Sequence, residues 1–104
     1  MRRLTTELDP DVARWAEEFV FGEVWSREGL EFEDRLIVAI VALAAQGKTA
    51  QLRNYLHAAL REGVPAAKVQ EALVMLTVYA GFPTASDALV CWRDVKTSHG
   101  KAGE

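Results

Sequence analysis

Three side chains that can donate or accept a proton stand out in the sequence, at Glu23, Tyr55 and His57. A carboxylate, a phenol and an imidazole can each act as a general acid or base, and a phenol can also donate a hydrogen bond to a developing oxyanion. Tyr55 and His57 are two positions apart, which on a helix is a rotation of about 200°, so they face away from each other. The alternatives are a packing role for Tyr55 and a surface or interface role for His57.

Three arginines could hold an anionic group, at Arg27, Arg35 and Arg53. Arg27 follows Glu23 in residues 23–30, an aromatic connector that is also rich in charged residues. There the two could orient a substrate or form a structural ion pair. Arg35 falls in the first turn of a predicted helix, where a cation opposes the helix dipole, so we predict a specific partner. That partner is either a substrate or an acidic residue of another subunit. Arg53 lies near the start of its helix, and it too could contact either a substrate or an acidic residue of another subunit.

Composition narrows the classes of function. The chain has 104 residues, of which 50% are hydrophobic, and a net charge of -3. This length predicts a single folded domain over residues 1–104, and the charge argues against nucleic-acid binding. One cysteine, Cys91, and two histidines far apart in sequence predict no disulfide framework and no metal site. With no signal peptide visible and no apolar run near the roughly 20 residues that a membrane helix needs, we expect a cytoplasmic protein without membrane contact.

The elements that must position these residues are predicted to be helices only. Asp9 followed by Pro10 is a strong helix start, and Gly22 should end or bend that first helix. Gly47 and Gly63 should end two later helices. The predicted helices cover residues 9–22, 33–46, 49–62, 64–79 and 84–96, and residues 98–104 are predicted to be a flexible tail. The predicted fold is therefore an all-α, single-domain bundle of about five to six helices.

Helical spacing also predicts the core. Trp15, Phe19 and Trp92 are predicted as core residues, and Cys91 as a small buried hydrophobe. Residues 36–45, LIVAIVALAA, are apolar on every side, which predicts a helix buried on every side. Such a helix indicates either self-association of the chain or a central position in the bundle.

Three stretches together resemble the carboxymuconolactone decarboxylase family. The first is FGEVWSREGL at residues 21–30, close to the family's GEVWSRPGL. The second runs from QGKTAQLR at 46–53 to AALREGV at 58–64, and the third is VYAGFP at 78–83. The resemblance covers about residues 15–95. Each piece alone is weak evidence for the resemblance, but their order and spacing together are specific.

The resemblance implies a bundle of the alkylhydroperoxidase D-like type, assembled as a trimer or hexamer. It implies a small-molecule lyase that decarboxylates a lactone acid or related enolisable carbonyl compound without metal or organic cofactor. That reaction needs cations for carboxylates, a donor for the lactone oxygen and an acid for the final proton. The candidate catalytic residues are Glu23, which the resemblance supports, and Tyr55 and His57, whose side chains could donate or accept a proton. The implied substrate-binding residues are Trp25, Arg27, Arg35, Arg53, Met75, Tyr79 and Phe82.

The chain departs from the family pattern at informative positions. The thiol branch of the superfamily has a CxxC and a histidine where this chain has Lys48, Gln51 and Tyr55. Peroxidase and disulfide-exchange chemistry are therefore not expected. The decarboxylase branch usually has histidines at the positions of Tyr55 and Met75. These changes indicate two alternatives: a cyclase or isomerase acting on a larger, less polar substrate, or a non-catalytic ligand-binding or assembly protein.

Overall fold

The computed structural model describes residues 9–102, and the side chains of residues 9–100. These residues form an all-α structure without a strand, which confirms the predicted fold class. The chain divides into two compact units, one ending at Arg35 and the other beginning at Leu36, within helix α2. The helices are α1 (Pro10–Trp15), a π-helical segment (Ala16–Val24), α2 (Phe32–Ala45), α3 (Thr49–Arg61), α4 (Ala66–Val74), α5 (Leu76–Tyr79) and α6 (Phe82–Ala102).

The first unit begins as the sequence predicts. The Asp9 carboxylate accepts hydrogen bonds from the backbone N–H groups of Asp11 and Val12, at 2.8 and 3.2 Å, and Pro10 occupies the first turn. The prediction that Gly22 ends or bends this helix is wrong in its position. The chain changes to π-helical winding at Ala16 and continues past Gly22, a winding that is rare and usually brief.

Two helix ends in the second unit have the same hydrogen-bond pattern. After α3, Gly63 N–H donates to the Leu60 carbonyl at 3.2 Å and Val64 N–H donates to the Ala59 carbonyl at 2.9 Å. Gly63 has a φ of 81°, a conformation that glycine adopts without a Cβ penalty. α2 ends in the same way at Gly47, with a φ of 70°. Both predicted helix stops are confirmed.

The core of the second unit forms where α3, α4 and α5 pack on α6. The buried side chains include Trp92 and Cys91, as predicted. α2 buries Leu36, Ile40 and Ala44, which lie four residues apart on one face.

Two helices differ from the predicted bounds. The predicted helix over 64–79 is interrupted at Met75, which separates α4 from α5. The last helix begins at Phe82 and continues to Ala102, beyond the predicted end at residue 96. Part of the predicted flexible tail is therefore helical, and Gly103 and Glu104 lie outside the described residues.

The single chain leaves several predicted core residues accessible. Trp15 and Phe19 are 57% and 58% exposed, so their assignment to the core is wrong for the single chain. Val38 is 58% exposed, so α2 is not buried on every side in one copy of the chain. Helical spacing identifies an apolar face but does not determine whether another element covers it. Self-association stays a prediction.

Candidate active site

Helix α3 divides the predicted site residues between opposite sides. Arg53, His57 and Arg61 follow one another at intervals of four residues and therefore lie along one side of α3. Tyr55 projects from the opposite side, which also carries the buried Ala59. Because both residues lie on α3, Tyr55 and His57 face away from each other as predicted, and within one chain the two cannot act on one reacting atom.

Tyr55 is half-buried, and the residue takes part in an interaction within the structure. Burial raises the pKa of Tyr55 above its ordinary value of 10.0, because the low-polarity surroundings disfavour the phenolate. The side chain therefore keeps its proton at neutral pH. Chemically, it can donate a hydrogen bond to a developing oxyanion or supply a proton.

His57 lies beside a residue that sequence analysis had placed in the tail. The ring centroids of His57 and His99 are 6.4 Å apart. Burial lowers the pKa of His57, and the charges of Arg61, His99 and Arg53 lower it further. The imidazole of His57 is thus held towards its neutral form among cationic neighbours. The sequence signal that could have predicted the position of His99 is the absence of proline after residue 96, which allows α6 to continue to Ala102.

A small cavity of about 150 Å³ lies in the second unit, between α3 and α6. It is lined by Ala44, Gly47, Thr49, Leu52, Thr84, Asp87, Ala88 and Cys91. Burial raises the pKa of the Cys91 thiol, Arg53 opposes that shift, and Asp94 adds to it. The thiol is therefore protonated at neutral pH and unsuited to nucleophilic chemistry. Sequence analysis did not identify Asp87 or the two threonines as cavity residues.

The apolar site residues predicted around the break at Met75 are exposed in the single chain. Met75 and Tyr79 are 54% and 80% exposed, and neither lines the cavity between α3 and α6 or the groove along α6. Phe82 lines an open groove of about 250 Å³ along one side of α6, together with Thr77, Ala85, Ser86, Leu89, Val90 and Arg93. The groove is mostly apolar, and Arg93 is the one charged residue among the described residues that line it.

Trp25 anchors the aromatic connector of the first unit. Its ring centroid lies 6.0 Å from that of Phe21 and 5.7 Å from that of Phe32, with tilted ring planes. Such tilted contacts are favourable for aromatic pairs. The Ser26 hydroxyl donates to the carbonyl of Gly22 at 2.7 Å. These contacts hold the connector close to the end of the π-helical segment.

The charged side chains of Glu23, Arg27 and Arg35 also belong to the first unit. The Arg35 guanidinium donates to the backbone carbonyl of Arg27, a main-chain partner within the same unit that the sequence analysis did not predict. Among the described residues, Glu23 and Arg27 form no ion pair, and both are exposed. The ion pair that sequence analysis left open between Glu23 and Arg27 is therefore absent from the described residues. Trp25, Arg27 and Arg35 lie together in the first unit, whereas Arg53, Tyr55, His57, Met75, Tyr79 and Phe82 belong to the second.

Neither a metal cluster nor a membrane helix is found in the part of the chain that the structure describes. There, His, Cys, Asp and Glu side chains do not gather in groups of three or more that could hold a metal ion. No described helix combines the length and apolar character needed to cross a membrane.

Comparison with known proteins decides the family. The sequence profile described as "Carboxymuconolactone decarboxylase family" matches residues 10–94. The chain belongs to the carboxymuconolactone decarboxylase family. The match includes the aromatic connector, α3 and most of α6, so both units fall within the family region.

Three individual proteins are also similar to this chain in sequence. The chain is 33% identical over 98 residues to 4-carboxymuconolactone decarboxylase of Acinetobacter baylyi, covering 94% of this chain and 73% of that protein. It is 32% identical over 89 residues to an uncharacterised 15.0 kDa protein of Paracoccus denitrificans, covering 84% and 66%. It is 27% identical over 73 residues to nitrosuccinic acid decarboxylase of Metarhizium robertsii, covering 70% and 51%. The chain thus spans between about half and three quarters of the length of these relatives.

Proposed function

We propose that this member of the carboxymuconolactone decarboxylase family is a decarboxylase. Its substrate would be a small acid whose decarboxylation leaves a carbanion delocalised onto oxygen. Family membership supports the reaction class, and two relatives carry the names of decarboxylases for different acids. The chemistry that those two acids share defines the proposed substrate class.

In both acids an oxygen atom can receive the electrons released with carbon dioxide. In 4-carboxymuconolactone, the bond to the carboxylate carbon breaks and its electron pair moves through the ring to the lactone carbonyl, giving a dienolate. In nitrosuccinic acid, the pair released next to the nitro group moves onto the nitro oxygens, giving a nitronate. A proton then adds to carbon. The net change is loss of carbon dioxide and uptake of one proton.

The residue that best fits this chemistry is Tyr55. Its half-buried phenol keeps its proton at neutral pH, because burial raises its pKa above 10.0. A protonated donor in partly desolvated surroundings can stabilise negative charge that appears on oxygen in the transition state. In this proposal, Tyr55 stabilises the dienolate or nitronate oxygen. Glu23 and the Arg27 guanidinium remain predictions for proton transfer and carboxylate binding, and the same holds for the oligomer and the cytoplasmic location.

The test is to incubate the purified full chain with 4-carboxymuconolactone and, separately, with nitrosuccinic acid. Loss of substrate and release of carbon dioxide are followed together. We expect turnover of at least one acid, and a loss of about 10²-fold in kcat for Glu23→Gln if that carboxylate transfers a proton. Glu18→Gln is the matched control, because Glu18 is an exposed carboxylate of the same π-helical segment and has no predicted role. A folded protein that releases no carbon dioxide from either acid would overturn the proposal.

A cyclase or isomerase acting on a larger, less polar compound is the second candidate function. The open apolar groove of about 250 Å³ along α6 favours it, since such a surface suits a ligand with apolar bulk. This candidate predicts a saturable thermal shift with a hydrophobic lactone, and conversion of that lactone without carbon dioxide release. A thermal shift without any product would instead indicate a ligand-binding protein.

A further inference from the structure

Four basic side chains meet on the side of α3 opposite to Tyr55, and we name them the basic cluster: Arg53, His57, Arg61 and His99. The first three lie on successive turns of α3, where side chains four residues apart have Cβ atoms about 5–6 Å apart. His99 reaches the cluster from α6, with its ring 6.4 Å from that of His57.

The packing of α3 on α6 explains why residues distant in sequence meet. Thr49 and Leu52, early in α3, share a cavity with residues of the first half of α6. His57, late in α3, lies beside His99, late in α6. The two helices therefore run in the same direction, and the last turns of α6 complete the cluster.

Within the described residues, no salt bridge neutralises an arginine of the basic cluster, although Asp94 and Arg53 both act on the nearby Cys91 thiol. The charged groups that act on His57 are Arg61, His99 and Arg53, all of them basic. The nearby acid on α6, Asp94, is paired with Arg93 at 3.1 Å, and the Lys96 ammonium lies over the ring of Trp92. Basic groups held close together without a counter-charge favour an anion at that place.

We propose that the basic cluster binds an oxyanion, a carboxylate or a phosphate group, between the guanidinium groups of α3 and the imidazoles of His57 and His99. Guanidinium groups offer paired N–H donors that match the oxygens of either anion, and each imidazole adds one donor. A divalent metal ion on the two histidines is disfavoured, because Arg53 and Arg61 would repel it. The site goes beyond the proposed decarboxylation, which uses Tyr55 on the other side of the helix.

Binding should depend on pH in a defined direction. The basic neighbours of His57 and its partial burial favour the neutral imidazole, whereas a bound anion favours the imidazolium. Anion binding should therefore be accompanied by proton uptake and become tighter as the pH falls. Because inorganic phosphate itself gains a proton over this range, the pH dependence is measured with sulfate, an oxyanion whose charge stays constant. We expect affinity for sulfate to be about tenfold higher near pH 5.5 than near pH 8, which is the scale of one added charge-assisted hydrogen bond.

The experiment measures binding of inorganic phosphate, and separately of succinate, to the full chain by calorimetry, while NMR follows the imidazole signals of His57 and His99. Wild type is compared with Arg61→Gln and His99→Gln. Arg14→Gln is the control, since Arg14 is an exposed arginine of the other unit and pairs with Asp11. We expect phosphate or succinate to raise the pKa of His57 in wild type and in the control. We also expect about tenfold weaker binding in Arg61→Gln.

The comparison of the two ligands identifies the source of the oxyanion. Tighter binding of phosphate indicates a phosphorylated ligand, and tighter binding of succinate indicates a carboxylic acid; either result supports the proposal. Equal binding in Arg61→Gln, His99→Gln and Arg14→Gln would overturn it. Should Arg61→Gln fail to fold, Arg53→Gln makes the same test from the first turn of the cluster. Because binding is read without turnover, failure here is distinguishable from failure of the proposed decarboxylation.

Discussion

Replacing Tyr55 by phenylalanine removes one hydroxyl group and keeps the aromatic ring. The ring is half-buried on the side of α3 that packs into the second unit, so Tyr55→Phe should preserve most of the packing. Removal of a half-buried hydroxyl should lower the free energy of unfolding by no more than about 0.5–1.5 kcal/mol. This is small enough for the variant to fold and be assayed.

The effect on catalysis should be much larger. Removal of one donor to a developing oxyanion typically lowers kcat by about 10²–10³-fold, and we expect a loss of that size for Tyr55→Phe on whichever acid the wild type decarboxylates. In wild type the phenol keeps its proton, so its contribution should be constant between about pH 6 and pH 9. In Tyr55→His, which restores the residue that family resemblance places here, the burial that raises the pKa of the phenol should lower the pKa of the imidazole below its ordinary value, so the donor gains its charge only towards the acidic end of this range. Activity of that variant should therefore change across the same pH range.

The assay is steady-state release of carbon dioxide against pH for wild type, Tyr55→Phe and Tyr55→His, with unfolding by urea followed on the same preparations. If Tyr55→Phe retains kcat to within about threefold while wild type turns over, the phenol makes no special contact in the transition state. Tyr55 would then be a packing residue, and the acid must be sought elsewhere. A pH profile of Tyr55→His identical to that of wild type would contradict the reasoning in the same way.

Three further predictions concern stability. Leu56→Ala should lower the free energy of unfolding by about 2–5 kcal/mol, because Leu56 is fully buried; the exposed Leu30 should cost far less when replaced in the same way, as urea unfolding would reveal. Gly63→Ala should cost roughly 1 kcal/mol, because Gly63 has a φ of 81° that disfavours a Cβ. Gly29→Ala is the comparison, since Gly29 has no positive φ and no atom within 4 Å of an added Cβ; equal thermal shifts for the two would argue against the strained cap. The pKa of His57 is lowered on folding, first by burial and then by Arg61, His99 and Arg53, so the unfolded chain binds the proton more readily. Stability should therefore fall as the pH drops from about 7 to about 5, and the fall should be smaller in His57→Gln. A steeper fall in that variant would show that folding raises the pKa of His57 instead of lowering it.

The sequence predicts the arrangement of candidate site residues only where those residues lie on the same helix. The separation of Tyr55 from His57 is a property of helical geometry, and it needs no knowledge of neighbouring elements. Arg35 was predicted to contact a substrate or an acidic residue of another subunit, and the structure adds a partner that was not predicted, the carbonyl of Arg27. A main-chain acceptor carries no signal in residue type, so sequence analysis had no means to identify it. Likewise, nothing in the types of Met75, Tyr79 and Phe82 shows that one chain leaves them exposed.

The sequence by itself determined the helical class, the family and several helix ends. These depend on local chemistry: Asp9 caps the first helix, Gly47 and Gly63 adopt positive φ, and the family's pieces keep their order. It also determined that Trp92 is buried. Such features are decided within a few residues of the chain or by the pattern of one helix face.

Only the tertiary structure decided which apolar faces are covered and which distant polar groups meet. Trp15 and Phe19 have the same helical spacing as core residues, but one chain leaves them exposed. His99 comes beside His57 because α3 and α6 pack together and α6 continues to Ala102. Burial and long-range proximity depend on contacts between elements, and the helical period of one segment does not encode them.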